Sequence, residues 1–111
     1  MAHINYSFTA GDTGSKVRVR LIHSLTGQLL VPFNGVYNAY IWVKPQGLTS
    51  TRRTMNILSG VNDGFAEYTI LSTELVEGEL QTQVEIMRIS DGAVVSELGV
   101  KVHKVGPKLS V

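Results

Sequence analysis

The chain has 111 residues, of which 43% are hydrophobic and 17% charged, with ten Lys and Arg against nine Asp and Glu for a net charge of +1. That size and hydrophobic share call for one folded domain with a core of its own, and they exclude disorder. The near balance of charge gives no electrostatic basis for nucleic acid or an anionic membrane as a general partner. With no cysteine in the sequence, disulfides, thiolate metal sites and cysteine nucleophiles are excluded as well.

The charged share lies below the ~25% usual for soluble domains, so the surface must draw on Thr, Ser, Asn, Gln and Gly. Such a surface suits packing against other proteins. The opening MAHINYSFTAGD has no apolar segment of the kind a signal peptide carries. No apolar run approaches the ~20 residues of a spanning helix, and the expectation is a soluble product.

From the N-terminus, Ile4, Tyr6 and Phe8 share one face of an expected first strand, and Ala10 to Gly14 forms a turn with two glycines. Lys16 to His23 alternates Val17, Val19 and Leu21 with Lys16, Arg18 and Arg20, the cleanest half-buried strand in the sequence. Leu29 to Phe33 is a short apolar run. Pro32 cannot donate to a ladder, which makes that run an edge or a connection.

Val36 to Lys44 is the next strand, with Tyr37, Ala39, Ile41 and Val43 on one face and Asn38, Tyr40, Trp42 and Lys44 on the other. Bulk on both faces suggests cover on both sides. Arg52 to Leu58 reads as one short strand and Ser59 to Gly64 as a polar turn. Phe65 to Leu71 returns with Ala66, Tyr68 and Ile70 on one face. Ser72 to Glu77 has helical character but room for only one turn.

The longest patterned stretch is Gly78 to Val105, read as one long hairpin. Leu80, Thr82, Val84 and Ile86 alternate with Gln81, Gln83, Glu85 and Met87 on its first arm. On the second arm Val94, Ser96, Leu98, Val100 and Val102 alternate with Val95, Glu97, Gly99, Lys101 and His103. Ser90-Asp91-Gly92 supplies the turn between them. The expected fold is all-β: one immunoglobulin-like β-sandwich of about seven antiparallel strands over residues 1–111, with a short non-strand tail at 106–111. Trp42 falls on the third strand, as in antibody domains, but no cysteine pair accompanies it.

Chemistry finds little support. His3, His23 and His103 show no HxH or HExxH spacing, so surface histidines are the better reading than a metal site. Asp12, Asp63 and Asp91 stand close to glycines, as turn formation requires, and no calcium loop, P-loop, GxGxxG or GxSxG occurs. Asn5-Tyr6-Ser7 matches a glycosylation acceptor only formally. The row Lys16, Arg18 and Arg20 could track phosphates. A solvated sheet face balanced by Glu67, Glu85 or Glu97 is favoured, and Arg52-Arg53 is read the same way. Tyr37, Tyr40 and Trp42 are a candidate glycan-stacking platform, weighed against core or interface packing. The expectation is no enzyme and no cofactor.

Several turns and steps taken together resemble a known family. They are Gly11-Asp12-Thr13-Gly14 before an alternating strand, Leu30-Val31-Pro32-Phe33-Asn34-Gly35, and Trp42-Val43-Lys44-Pro45. Asn62-Asp63-Gly64-Phe65-Ala66-Glu67-Tyr68, Gly78 opening the long strand and the Asp91-Gly92 turn complete the set. In this order they resemble the immunoglobulin-like domain at the start of phage baseplate upper proteins. The resemblance implies a bacteriophage virion structural protein that binds other virion proteins, the major capsid or tail and baseplate subunits, and that is homo-oligomeric in the particle. A single domain of this kind looks like a capsid decoration, or cement, protein. A baseplate or tail accessory protein, or a carbohydrate-binding host-adhesion module, is the alternative. The ends are expected to carry part of the interface, through Ile4, Asn5, Pro107, Lys108 and Leu109, with neither nucleic acid nor membrane as partner.

Overall fold

Alternation along the chain produces two stacked sheets. The computed structural model describes residues 6–23, 25–28, 30 and 35–107. Nine strands occur among them: β1 Phe8–Thr9, β2 Lys16–Arg20, β3 Tyr37–Lys44, β4 Thr51–Thr54, β5 Asn56–Ile57, β6 Phe65–Thr69, β7 Gly78–Arg88, β8 Val94–Glu97 and β9 Lys101–Gly106. The larger sheet runs β1-β9-β7-β3-β4 with β8 also on β7, and the smaller runs β2-β6-β5. All pairings are antiparallel except β1 on β9, which is parallel with Phe8 opposite Val105.

This is an immunoglobulin-type arrangement. Taking β2, β3, β4, β5, β6, β7 and β9 as strands B, C, C′, D, E, F and G gives B-E-D facing G-F-C-C′. The core lies between the layers. Ala39, Ile41 and Val43 of β3 and Leu80, Val84 and Ile86 of β7 face Val17 and Val19 of β2 and Ala66 of β6, all buried. Leu21, Met55, Ile70 and Leu75, from the connections, fill the ends of the same cluster.

Three sequence expectations change. The single strand over Arg52 to Leu58 is two strands in different sheets. Met55 between them is 3% exposed and its N–H donates to Ala39 O at 3.0 Å, so the chain crosses between layers at a buried apolar residue. The second hairpin arm is broken at Leu98–Val100: β8 pairs with the end of β7 and β9 with its start. The break shifts the alternation by one residue. Ser96 and Leu98 face inward before it and His103 and Val105 after it, while Val100 and Val102 are 57% and 53% exposed. A one-residue slip turns every later side chain to the other face, and Gly99, which has no side chain to pack, sits at the break.

The third change concerns the strand expected over residues 3–8. Of its described residues, 6–8, only Phe8 is in a strand, β1, and residues 1–5 lie outside the described residues, as does most of the Leu29–Phe33 run. The other turns fall where the residues place them. Gly92 takes φ 69° and its N–H donates to Arg88 O at 2.9 Å. The Asp91 carboxylate accepts from the Ala93 N–H at 3.1 Å and pairs with Arg88 at 3.0 Å; the backbone bond first, and Arg88 after it, hold it below the usual carboxylate range. Gly78 takes φ 125°, and a Cβ there would stand 2.7 Å from the Gln46 side chain, whose Oε1 accepts the Glu79 N–H at 3.0 Å. Only glycine fits that entry to β7.

One polar cluster ties the layers together at the β4 edge. Ser72–Glu74 is a single 3-10 turn linking β6 to β7, and Glu74 is 5% exposed. Its Oε1 accepts the Tyr68 hydroxyl at 2.5 Å and the Leu71 N–H at 3.0 Å, while Oε2 accepts Arg53 Nε at 3.1 Å. Burial, reinforced by the bond to Glu74, raises the Tyr68 phenol above its ordinary pKa of 10.0 and keeps it a donor. A β6 residue, a connecting turn and a β4 residue are joined through one buried carboxylate.

Candidate docking surface

The outward residues of the larger sheet form the most distinctive surface. Register places Arg52, Trp42 and Gln83 in one cross-strand row, Thr54, Tyr40, Glu85 and Glu97 in the next, and Lys44, Gln81 and Val102 on the other side. Directly opposed side chains share a face, so these rows build one continuous surface. Period-two patterning of β3 and β7 sets it up: inward Ile41 and Val43 oblige Tyr40, Trp42 and Lys44 to point out.

The charges on this face are mostly spent on one another. Arg52 pairs with Glu85 at 2.9 Å and lies 3.7 Å from the centre of the Tyr40 ring, a cation–π contact that half-buries Tyr40. Lys104 pairs with Glu79 at 2.7 Å. Between the two ion pairs lie Trp42, 38% exposed, Gln81, Gln83, Val100 and Val102. Gln83 is held by its Nε2 donating to Leu98 O at 3.2 Å. A shallow depression of about 110 Å³ is lined by Trp42, Lys44, Ser50, Gln81, Gln83 and Val100 among others. The patch thus combines an aromatic with a polar tip, two amides, two exposed valines and Lys44, with the two ion pairs on either side of it.

The three aromatics do not share a platform. Tyr37 is half-buried against the core on the inner face, Tyr40 lies under Arg52, and Trp42 alone is open on the outer face. Outward-facing Trp42 also lacks the buried position of the antibody-domain tryptophan. Of the expected interface residues, Pro107 is exposed beyond β9, whereas Ile4, Asn5, Lys108 and Leu109 lie outside the described residues. His3 does too.

His23 and His103 serve different parts of the molecule. His23 Nδ1 accepts the Leu25 N–H at 3.2 Å in its own turn. His103 faces inward, with Nε2 3.1 Å from Thr82 Oγ1 and its ring 5.5 Å from that of Phe8. Among the described residues no group of three or more His, Asp or Glu is placed to hold a metal ion.

Of the three acids offered as balance for the Lys16, Arg18 and Arg20 row, only Glu67 is near, opposite Arg18. Glu85 and Glu97 belong to the other sheet. Arg18 instead donates to Asn62 Oδ1 at 3.1 Å and stands 5.0 Å from the Phe65 ring centre.

Burial first, and the nearby Lys101 charge after it, lower the His103 pKa below its ordinary 6.5. The folded protein therefore resists a proton that the unfolded chain accepts. Stability should be unaffected by this group above pH 6.5 and fall as pH drops below 6.5 toward the lower folded value. Denaturant midpoints compared at pH about 7.5 and about 5.5 should show the loss, and His103→Gln should shrink it. An equal loss in the variant would assign the effect to other groups.

Val100 and Val102 were missed as surface residues because unbroken alternation assigns them to the core. Gly99 is the signal that could have exposed the slip. No protein-family model matches the chain, and no curated protein matches its sequence.

Proposed function

We propose that the chain is a bacteriophage virion structural protein that works by adhesion to other virion subunits, as a capsid decoration protein. The observation that carries the docking part is the outer sheet face, where Trp42, Gln81, Gln83, Val100 and Val102 sit between two internally neutralised ion pairs. The phage part rests on the turn and step motifs that resemble the baseplate upper protein domain. Where Arg52 is already paired with Glu85 and Lys104 with Glu79, those four charges lose little desolvation energy when this face is covered. A baseplate or tail accessory protein would use the same face on a different neighbour.

The experiment is a binding assay of the purified, labelled protein on particles of the phage that encodes it, grown without this gene. Saturable binding is expected, abolished by Trp42→Asp combined with Val102→Asp while the fold is retained by circular dichroism. Undiminished binding of that variant would refute the assignment of the face. A glycan-binding module would instead show saccharide-dependent quenching of Trp42 fluorescence, for which Trp42 is the exposed aromatic on the face.

A further inference from the structure

Among the described residues the smaller sheet ends at β2, and that edge points to a second binding device. In the immunoglobulin arrangement strand A lies beside strand B in the B-E-D sheet. Here β2 pairs with β6 alone among the described residues, and β1 lies on β9 in the other sheet. Leu21 N–H donates to Gly64 O and Ser15 O accepts from the Ile70 N–H, so the odd-numbered residues of this stretch bond to the β6 side. Antiparallel ladders alternate, which leaves the N–H and C=O of Lys16, Arg18 and Arg20 directed at the open edge.

Beside that edge the two layers are parted by a groove of about 400 Å³ with both apolar and charged lining residues. Its apolar lining comes from Val19 and Ile22 on the β2 side, Val84 of β7 and Leu98 at the break between β8 and β9, and the charged Arg20, Glu97 and Lys101 line it as well. The groove lies where strand A would cover strand G. Its size falls within the ~300–1,000 Å³ of ordinary binding clefts.

We infer that this edge accepts an extended segment of another protein as the missing strand, with apolar side chains entering the groove and acidic ones facing Lys16, Arg18 and Arg20. Strand addition supplies main-chain hydrogen bonds for affinity, and alternate side chains supply selectivity. Charge decides the occupant. Lys16, Arg18 and Arg20 all point outward and take part in none of the pairs Arg52–Glu85, Arg53–Glu74, Arg88–Asp91 and Lys104–Glu79. Residues of an added strand that share their face would lie directly opposite, where opposite charges attract. A second copy pairing through its own β2 would set this basic row against itself, which disfavours self-pairing. The inference goes beyond the virion reading and stands on the β2 edge, not on the Trp42 face.

The test uses the full chain and a labelled, extended peptide alternating glutamate and valine, with a lysine–valine peptide as control. Anisotropy should show saturable binding of the acidic peptide only, and amide shifts should centre on Lys16, Arg18 and Arg20. Reversing all three charges to glutamate should weaken the acidic peptide by about tenfold or more, because each cross-strand pair turns from attraction to repulsion. Arg18→Pro removes an edge N–H that β6 does not use, so the protein should stay folded and lose the peptide. Equal binding of both peptides would overturn the inference. So would slow hydrogen exchange at Lys16, Arg18 and Arg20 in the free protein, which would show the edge already covered from within, or a dimer that Arg18→Pro dissolves. Failure here leaves particle binding through Trp42 and Val102 untouched, so the two readings fail separately.

Discussion

Glu74→Ala should cost about 3 kcal/mol of folding stability, the lower end of what breaking a buried ion pair costs, because its partner is partly solvated. Arg53 keeps 38% of its side chain exposed, so the charge it would be left with is screened by water. The larger share of the loss comes from the Tyr68 hydroxyl and the Leu71 N–H, which lose their acceptor in a part-buried site. Urea denaturation measures this directly. Tyr68→Phe, which removes one donor while leaving the carboxylate bonded to Arg53 and Leu71, should cost less. Double-mutant coupling between positions 68 and 74 should be well above zero. A loss below about 1 kcal/mol for Glu74→Ala would mean that the cluster does not join the layers.

Ile41→Ala should be at least as damaging, at about 3–4 kcal/mol, while its neighbour Trp42→Ala should cost under about 1 kcal/mol. Ile41 is fully buried at the centre of the larger sheet, opposite Val84 on one side and Arg53 on the other. Removing three of its carbons opens a void that the flanking strands cannot close. Trp42 loses contact area on a face that is already partly in water. The contrast between adjacent residues reports which way β3 faces. A large loss at Trp42 with a small one at Ile41 would invert the sandwich.

How much of this could be read from the residues differs from element to element. β2, β3 and β7 were legible because each alternates cleanly and has one face buried, so the pattern records the fold directly, while β6 shows it only through Ala66 and, just beyond the strand, Ile70. The two-sheet architecture followed from their number and spacing. The crossing at Met55 was hidden, since a buried apolar residue between Thr54 and Asn56 continues a strand pattern whether or not the chain changes layer.

The slip after Leu98 was hidden for a related reason. Val94, Val95, Val100 and Val102 supply apolar residues in both phases, so alternation alone cannot choose between them. Half of the outer face of the larger sheet was legible through Tyr40, Trp42, Gln81 and Gln83, and the half carried by Val100 and Val102 was not. The Glu74 cluster depends on contacts between residues far apart in the chain, Arg53 and Glu74 above all, which no local spacing encodes.

The central claim is that this sandwich is a building block bound to a larger particle. Quantitative mass spectrometry of gradient-purified particles, with the copy number of the chain set against that of the major capsid protein, tests it most directly. The account predicts stoichiometric recovery, in hundreds of copies for a shell component or six to a few tens for a tail or baseplate site. Complete particles that lack the chain, in a lysate that contains it free, would contradict it.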